Sequence, residues 1–307
     1  MISITDAWDS AISDHKKYVL DIVKKKLEIP VGEAGYVKCG YLRDFVEKNK
    51  DVIACGKPIT LKGLVQDYEG LKARLGGPRI DLFKFEARQI FNYKNFANKK
   101  VRLWCAYFLC MSSSYKICPY CNQNYAFTLA ADDGEFRPTL DHFYSKSEYP
   151  FLAISLYNLI PSCYTCNSNL KGAKNFFDDP HLHPFEANSD LEFRVKGKGG
   201  VDINRLIGDE HLFCTSGEVR PVEVDDDAKN NSIKTFLLND RFEFNESDFL
   251  QFAYYRKQLT SERVKEIEGI LKIPTNASSL LRFEPKNHKN TIHGKIYFDI
   301  FNQFRPD

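Results

Sequence analysis

Apolar residues recur at helical spacing near the start of the chain. Tyr18, Val19, Ile22, Val23 and Leu27 mark one face, Lys24, Lys25 and Lys26 interrupt it, and Pro30 stops it. This predicts a helix opening at a Ser13 or Asp14 cap. Val101, Trp104, Phe108 and Met111 repeat the stripe and predict a long helix running towards Cys118. From Cys118 to about Glu186 the texture changes to short extended runs between turns. Asp132-Asp133-Gly134 is a hairpin signal, Thr139 to Phe143 reads as a strand, and the stretch after Cys166 can open a short helix. Leu191 to Val195 predicts another strand, followed by a flexible turn at Lys196-Gly197-Lys198-Gly199-Gly200 that lacks the order of a phosphate-binding P-loop. Further on, Ser261 caps a predicted helix whose Val264, Ile267, Ile270 and Leu271 share a face before Pro274. The expected class is α+β, with mainly helical regions at 1–115 and 187–307 around a structurally different segment at 116–186.

Composition narrows the function classes only a little. The chain has 307 residues, 43% of them hydrophobic, enough to bury a proper core. A formal charge of +2 makes any grip on nucleic acid a matter of local patches rather than of a uniformly basic body. One such patch is expected at Lys84, Arg88, Lys94, Lys99, Lys100, Arg102 and Lys116, with Asp81 and Glu86 as the nearby acids; an ordinary solvated helix face is the competing explanation. The first residues carry no basic-then-apolar leader and no run is long enough to span a membrane, so a soluble cytoplasmic protein is expected. Nine cysteines is an odd number. Cys39, Cys55, Cys105, Cys110 and Cys214 are scattered, which suits small core residues or free thiols in a reducing compartment.

The other four cysteines are patterned. Cys118-Pro119-Tyr120-Cys121 and Cys163-Tyr164-Thr165-Cys166 form two C-x-x-C knuckles, and together they supply the four thiolates of one closed tetrahedral zinc site. C-P-Y-C is also the dithiol of glutaredoxins, but that chemistry needs a thiolate at a helix start directly after the first strand of a small domain. Here the motif lies deep in the chain, follows a predicted helix and has a matching second pair. Shared structural zinc is the stronger expectation. The spacer exceeds the usual interval of about 15–20 residues, so it must hold structure of its own. Leu140-Asp141-His142 lies inside it.

Leu140-Asp141-His142, then Asn158-Leu159, then Cys163-Tyr164-Thr165-Cys166-Asn167-Ser168-Asn169-Leu170-Lys171-Gly172 resembles the HNH, or ββα-metal (His-Me finger), endonuclease motif in its four-cysteine form. The likeness runs from Cys118 to Gly172, with three motif blocks in the right order around matching cysteine pairs. More loosely, the chain is similar to the PtuB-type HNH subunits of Septu anti-phage defence systems, which work beside an ATPase. The resemblance implies a small zinc-stapled ββα nuclease core and hydrolysis of phosphodiester bonds in nucleic acid, DNA favoured over RNA. It also implies an ATPase partner protein. His142 becomes the candidate general base, and Asp141 and Asn167 the candidate ligands of a catalytic Mg²⁺ or Mn²⁺ distinct from the zinc. Asn158 is expected to orient the loop bearing His142, and Lys171 to contact a phosphate.

Rival explanations stay open at this level. A zinc-ribbon module that binds nucleic acid or protein without cutting fits the cysteines equally well, as does an effector held inactive by a partner ATPase. Lys171-Gly172 can simply end a helix, and Asn158 can be a turn residue. His181 and His183, in Asp178-Asp179-Pro180-His181-Leu182-His183-Pro184, are either additional metal ligands or part of a solvated turn. Because neighbours on an ideal strand face opposite ways, Asp141 and His142 can address one phosphate only if the strand bends or ends there.

Overall fold

The computed structural model describes residues 1–99, 103–131, 134–206, 208–222 and 225–305. The chain is mixed α+β, with three two-stranded antiparallel sheets among the described residues. It divides into two compact units. One comprises Ser3–Pro119 with Tyr125–Ser189; the other comprises Met1–Ile2, Tyr120–Asn124 and Asp190–Asp307.

The first unit begins with a 3-10 turn at Asp9–Ala11 that leads straight into α1 (Ile12–Leu27). That turn, rather than a Ser13 or Asp14 cap, starts the helix. α1 buries His15, Val19 and Val23 and packs against α2 (Gly40–Cys55). The start of α2 is closed from outside: Lys38 N–H and Cys39 N–H donate to the two carboxylate oxygens of Glu86 at 2.9 and 2.8 Å. A buried carboxylate at a helix N-terminus is stabilised by those donors and by the helix dipole. Glu86 belongs to α4 (Gly77–Ile90), which follows α3 (Pro58–Leu75) after Gly76, whose φ of +73° reverses the chain.

These helices build an aromatic core. Phe45, Tyr68 and Phe83 meet Phe151 at ring distances of 5.0, 5.0 and 6.4 Å, and Tyr149 joins through Tyr68 at 5.9 Å. Phe151 and Tyr149 come from the connection between β3 (Thr139–His142) and β4 (Leu159–Ser162), so the helical layer grips the long loop of that hairpin. Ahead of it lie α5 (Tyr93–Ala97), α6 (Ala106–Met111) and a small hairpin of β1 (Leu129–Ala131) and β2 (Gly134–Phe136). β3 and β4 pair with Thr139 opposite Ser162 and His142 opposite Leu159. A π-helical turn, Thr165–Lys171, follows β4.

In the second unit, β5 (Phe193–Gly197) pairs with β6 (Gly217–Pro221), and α7 (Glu210–Ser216) connects into β6. α8 (Asp227–Thr235), α9 (Leu238–Glu243), α10 (Glu246–Gln258), α11 (Ser261–Leu271), α12 (Ala277–Leu280) and α13 (Gly294–Gln303) complete it. α13 protects the open edge of β5 with side chains. Phe193 N–H donates to Asp299, and Gln303 both accepts from Val195 N–H and donates to Val195 C=O at 2.9 and 2.8 Å. An edge satisfied in this way offers no template to another strand.

Several expected elements differ. The long helix towards Cys118 is replaced by α5 and α6, because Asn98 and Cys105 have extended backbones that stop and restart the chain. Its stripe is not a core face either: Phe108 and Met111 are exposed. Val101, Lys100 and Arg102 lie outside the described residues, as do Asp132 and Asp133 of the predicted hairpin turn. The strand expected at Leu191 to Val195 starts two residues later. The cap of α11 is Thr260, whose hydroxyl accepts from Arg263 N–H, not Ser261. Its apolar stripe buries nothing, with Ile270 and Leu271 exposed.

Four histidines of the first unit are buried, and His15, His142 and His183 are the most strongly held neutral. Burial pulls His15 down to about 4 and His142 and His183 to about 3. Each therefore binds a proton in the unfolded chain near pH 6.5 that the folded chain refuses, so stability is complete above that pH and is lost as pH falls towards the folded values. Urea titrations of wild type and His183→Leu from pH 8 to 4.5 check this. The wild type loses stability below pH 6.5, and the variant's slope is shallower by about one proton, ~1.4 kcal/mol per pH unit.

Candidate functional site

The connection from Phe143 to Asn158 is built around one amide. Asn158 is fully buried; its Oδ1 accepts from Tyr144 N–H at 2.7 Å, and its Nδ2 donates to Tyr144 C=O and Leu152 C=O, both at 3.0 Å. Phe143 N–H returns to Asn158 C=O at 3.0 Å. The loop is thereby tied into a closed frame. His142 stands at its mouth, the last residue of β3, with Nε2 2.9 Å from Ala153 C=O. A carbonyl only accepts, so Nε2 carries the proton and Nδ1 is left as the basic nitrogen. Burial, then the Lys146 ammonium, keep the ring neutral, with Lys171 acting in the same direction.

Asp141 precedes it on the strand, 2% exposed, and Oδ1 accepts from Lys171 Nζ at 2.9 Å. The same ammonium donates to His142 C=O at 2.6 Å and lies 4.8 Å from the Phe176 ring centre. Lys171 is thus an interior partner of the Asp-His pair, only 3% exposed, and not a surface cation. The π-helical turn that carries it closes with Gly172 N–H donating to Asn167 C=O, and Gly172 takes φ +53° to leave the helix. Asn167 is half-buried, its backbone N–H tied to Cys163 C=O at 3.1 Å, and its side chain makes no hydrogen bond among the described residues.

Cys118, Cys121, Cys163 and Cys166 are buried, and their four sulfurs lie within 4.8 Å of one another. All four are unbridged. Sulfurs of an ideal zinc tetrahedron with bonds of about 2.3 Å are about 3.8 Å apart, so the cluster is near enough to bind one metal ion and compatible with zinc. Cys166 N–H points at Cys163 Sγ from 3.5 Å, the kind of bond that orients a thiolate ligand. The first pair sits in a turn closed by a bridge between Ile117 and Tyr125. Asp141 and Asn167 both carry side-chain oxygens, and the Asp141 carboxylate is already engaged by Lys171.

Four contributors escaped the sequence reading. His15 Nε2 donates to Ile154 C=O at 2.8 Å while its Nδ1 accepts from Trp104 Nε1–H at 3.2 Å, which braces the carbonyl next to the one holding His142. Helical phase was the available signal, since His15 shares the buried face with Val19. Tyr93 packs its ring 4.4 Å from His142, and Lys146 Nζ lies 4.4 Å from the centre of that same ring. Neither has a spacing that marks it. His181 stacks on Phe176 at 3.7 Å and His183 packs on Phe143 at 4.0 Å, so both are core rings. In the basic run, Lys84 pairs with Glu148, Lys99 with Glu135, and Arg88 donates to Ser147 C=O.

Fold and site together define a mixed α+β chain with a buried four-cysteine cluster able to bind one metal ion, and no helix among the described residues is long and apolar enough to cross a membrane. Over 84 residues it is 33% identical to Protein ea31 of Escherichia phage lambda, a match covering 27% of this chain and 25% of that protein. The similarity therefore spans about a quarter of that relative's length. No family model and no solved structure matches the chain.

Two outcomes test this geometry. Elemental analysis of purified protein gives one zinc per chain, lost in Cys166→Ser. Asn158→Ala strands the Tyr144 N–H and two carbonyl partners in the interior, and chemical denaturation registers a loss on the order of 3 kcal/mol.

Proposed function

We propose that the chain is a metal-dependent HNH-type endonuclease that hydrolyses phosphodiester bonds in nucleic acid. The observation that carries this reading is the neutral His142, fixed through Nε2 by a carbonyl of an Asn158-stapled loop, with Nδ1 left to take a proton and Asp141 beside it. The antiparallel pair β3–β4 followed by the helical turn Thr165–Lys171 supports the ββα assignment, and the four cysteines around it support a structural zinc.

In this reading His142 Nδ1 accepts the proton of the attacking water. Its low proton affinity is a property of the empty site, and an anionic phosphate arriving next to the ring raises it. Asp141 and Asn167 would hold a divalent ion, which when bound stabilises the negative charge developing on the phosphate and leaving oxygen. Asn158 positions the loop and touches no substrate. Lys171 holds Asp141 in place from inside.

Supercoiled plasmid and a structured RNA, each with Mg²⁺, Mn²⁺ or EDTA, provide the test. Wild type cleaves in a metal-dependent way, and His142→Ala, still folded and zinc-loaded, loses on the order of 10²- to 10⁴-fold in rate. Undiminished cleavage by the variant would remove His142 from the chemistry. Binding without cleavage by wild type would instead favour a non-catalytic zinc-ribbon module.

A further inference from the structure

We propose that Lys146, exposed on the loop between β3 and β4 and seated over the ring of Tyr93, is the cation that holds the nucleic-acid phosphate beside His142. The inference rests on the nuclease reading and assigns to Lys146 the contact that the motif suggests for Lys171. Lys171 is committed elsewhere, buried between Asp141 and the His142 carbonyl.

The loop leaves Lys146 available by occupying everything around it. Ser145 C=O accepts from Glu148 N–H at 3.1 Å and Tyr149 N–H at 2.8 Å, the Ser145 and Ser147 hydroxyls meet at 2.7 Å, and Arg88 donates to Ser147 C=O at 3.2 Å. Glu148, the acid nearest in sequence, is taken by Lys84 at 2.8 Å. Lys146 itself forms no ion pair or hydrogen bond among the described residues and rests on the Tyr93 face at 4.4 Å. A cation held over an aromatic ring keeps its donors directed outward without surrendering its charge. Tyr93 is fixed in turn at the first position of α5, which Asn92 caps by accepting from Asn95 N–H.

The charges close the argument. Among the described residues, the groups felt around the neutral imidazole are two ammoniums, Lys146 and Lys171, and the carboxylate of Asp141. Partial burial lowers the proton affinity of Lys146, Asp141 raises it and Lys171 lowers it further. Such a site carries excess positive charge and is stabilised by an anion. Lys171 is sealed inside, so an entering phosphate meets Lys146.

The test measures binding separately from cutting. Fluorescence anisotropy with a duplex DNA and a single-stranded oligonucleotide, in EDTA and across a salt series, compares wild type, Lys146→Met and Lys146→Arg. Lys146→Met weakens binding about tenfold and lowers the duplex salt slope by about 0.9, one phosphate contact, with unchanged zinc content and melting temperature; Lys146→Arg restores both. Wild-type affinity and slope in Lys146→Met overturn the inference, even where His142→Ala abolishes cleavage and the nuclease reading stands. Conversely, Lys146-dependent binding by a wild type that never cleaves supports the phosphate contact and rejects the nuclease. No nucleic-acid binding by wild type overturns the inference.

Discussion

Three consecutive carbonyls, those of Leu152, Ala153 and Ile154, each accept a side-chain N–H: from Asn158, His142 and His15. The rest of the candidate site depends on this row. A loop of this length inside a folded unit must satisfy its backbone polar groups, and here buried side chains do so in place of a sheet ladder. The donors come from the end of the loop, from its beginning and from α1, so the row fixes the loop at both ends and to the helical layer at once. Phe151, one residue ahead of the row, inserts among Phe45, Tyr68 and Phe83 and makes the same connection by packing. Polar and apolar attachments are adjacent in sequence and act on one rigid element.

Burying Asp141 and Lys171 together costs both their hydration, and the pair holds because the ammonium finds two oxygens and an aromatic face. Its benefit is orientation. Lys171 joins the side chain of Asp141 to the main chain of His142, and so sets the last turn of the helical segment against the end of the strand. Electrostatically, the pair cancels the carboxylate and leaves Lys146 to give the site its sign.

What the sequence disclosed follows from the range of the interactions. The cysteine knuckles were legible because each pair is local and a metal site demands a fixed ligand type; the strand at Thr139 was legible from a short extended run between turns. Lys171 was named, but its burial was not foreseen, since its partners lie on β3 and nothing in Lys-Gly distinguishes an inward from an outward ammonium. His15, Trp104 and Tyr93 belong to elements far away in sequence, and their contribution exists only once α1 and α5 are packed. The expected helix from Val101 failed for a related reason. Its stripe was real as a pattern, yet Trp104 bonds His15 Nδ1 and the backbone at Cys105 is extended.

The adjacency of Asp141 and His142 is where local geometry bears most on the proposed reaction. Successive residues on a regular strand point to opposite faces, which would separate the carboxylate from the imidazole that the proposed reaction uses with it. β3 ends at His142, opposite Leu159 where β4 starts, and the chain there leaves the ladder for the stapled loop. The imidazole is held by Ala153 C=O and the Tyr93 ring, while Asp141 is held by Lys171. The two neighbouring side chains thus have different partners, one in the loop and one in the helical turn. Because Lys171 also donates to His142 C=O, a substitution there reaches both residues, whereas loss of the Ala153 or Tyr93 contact bears on the imidazole alone.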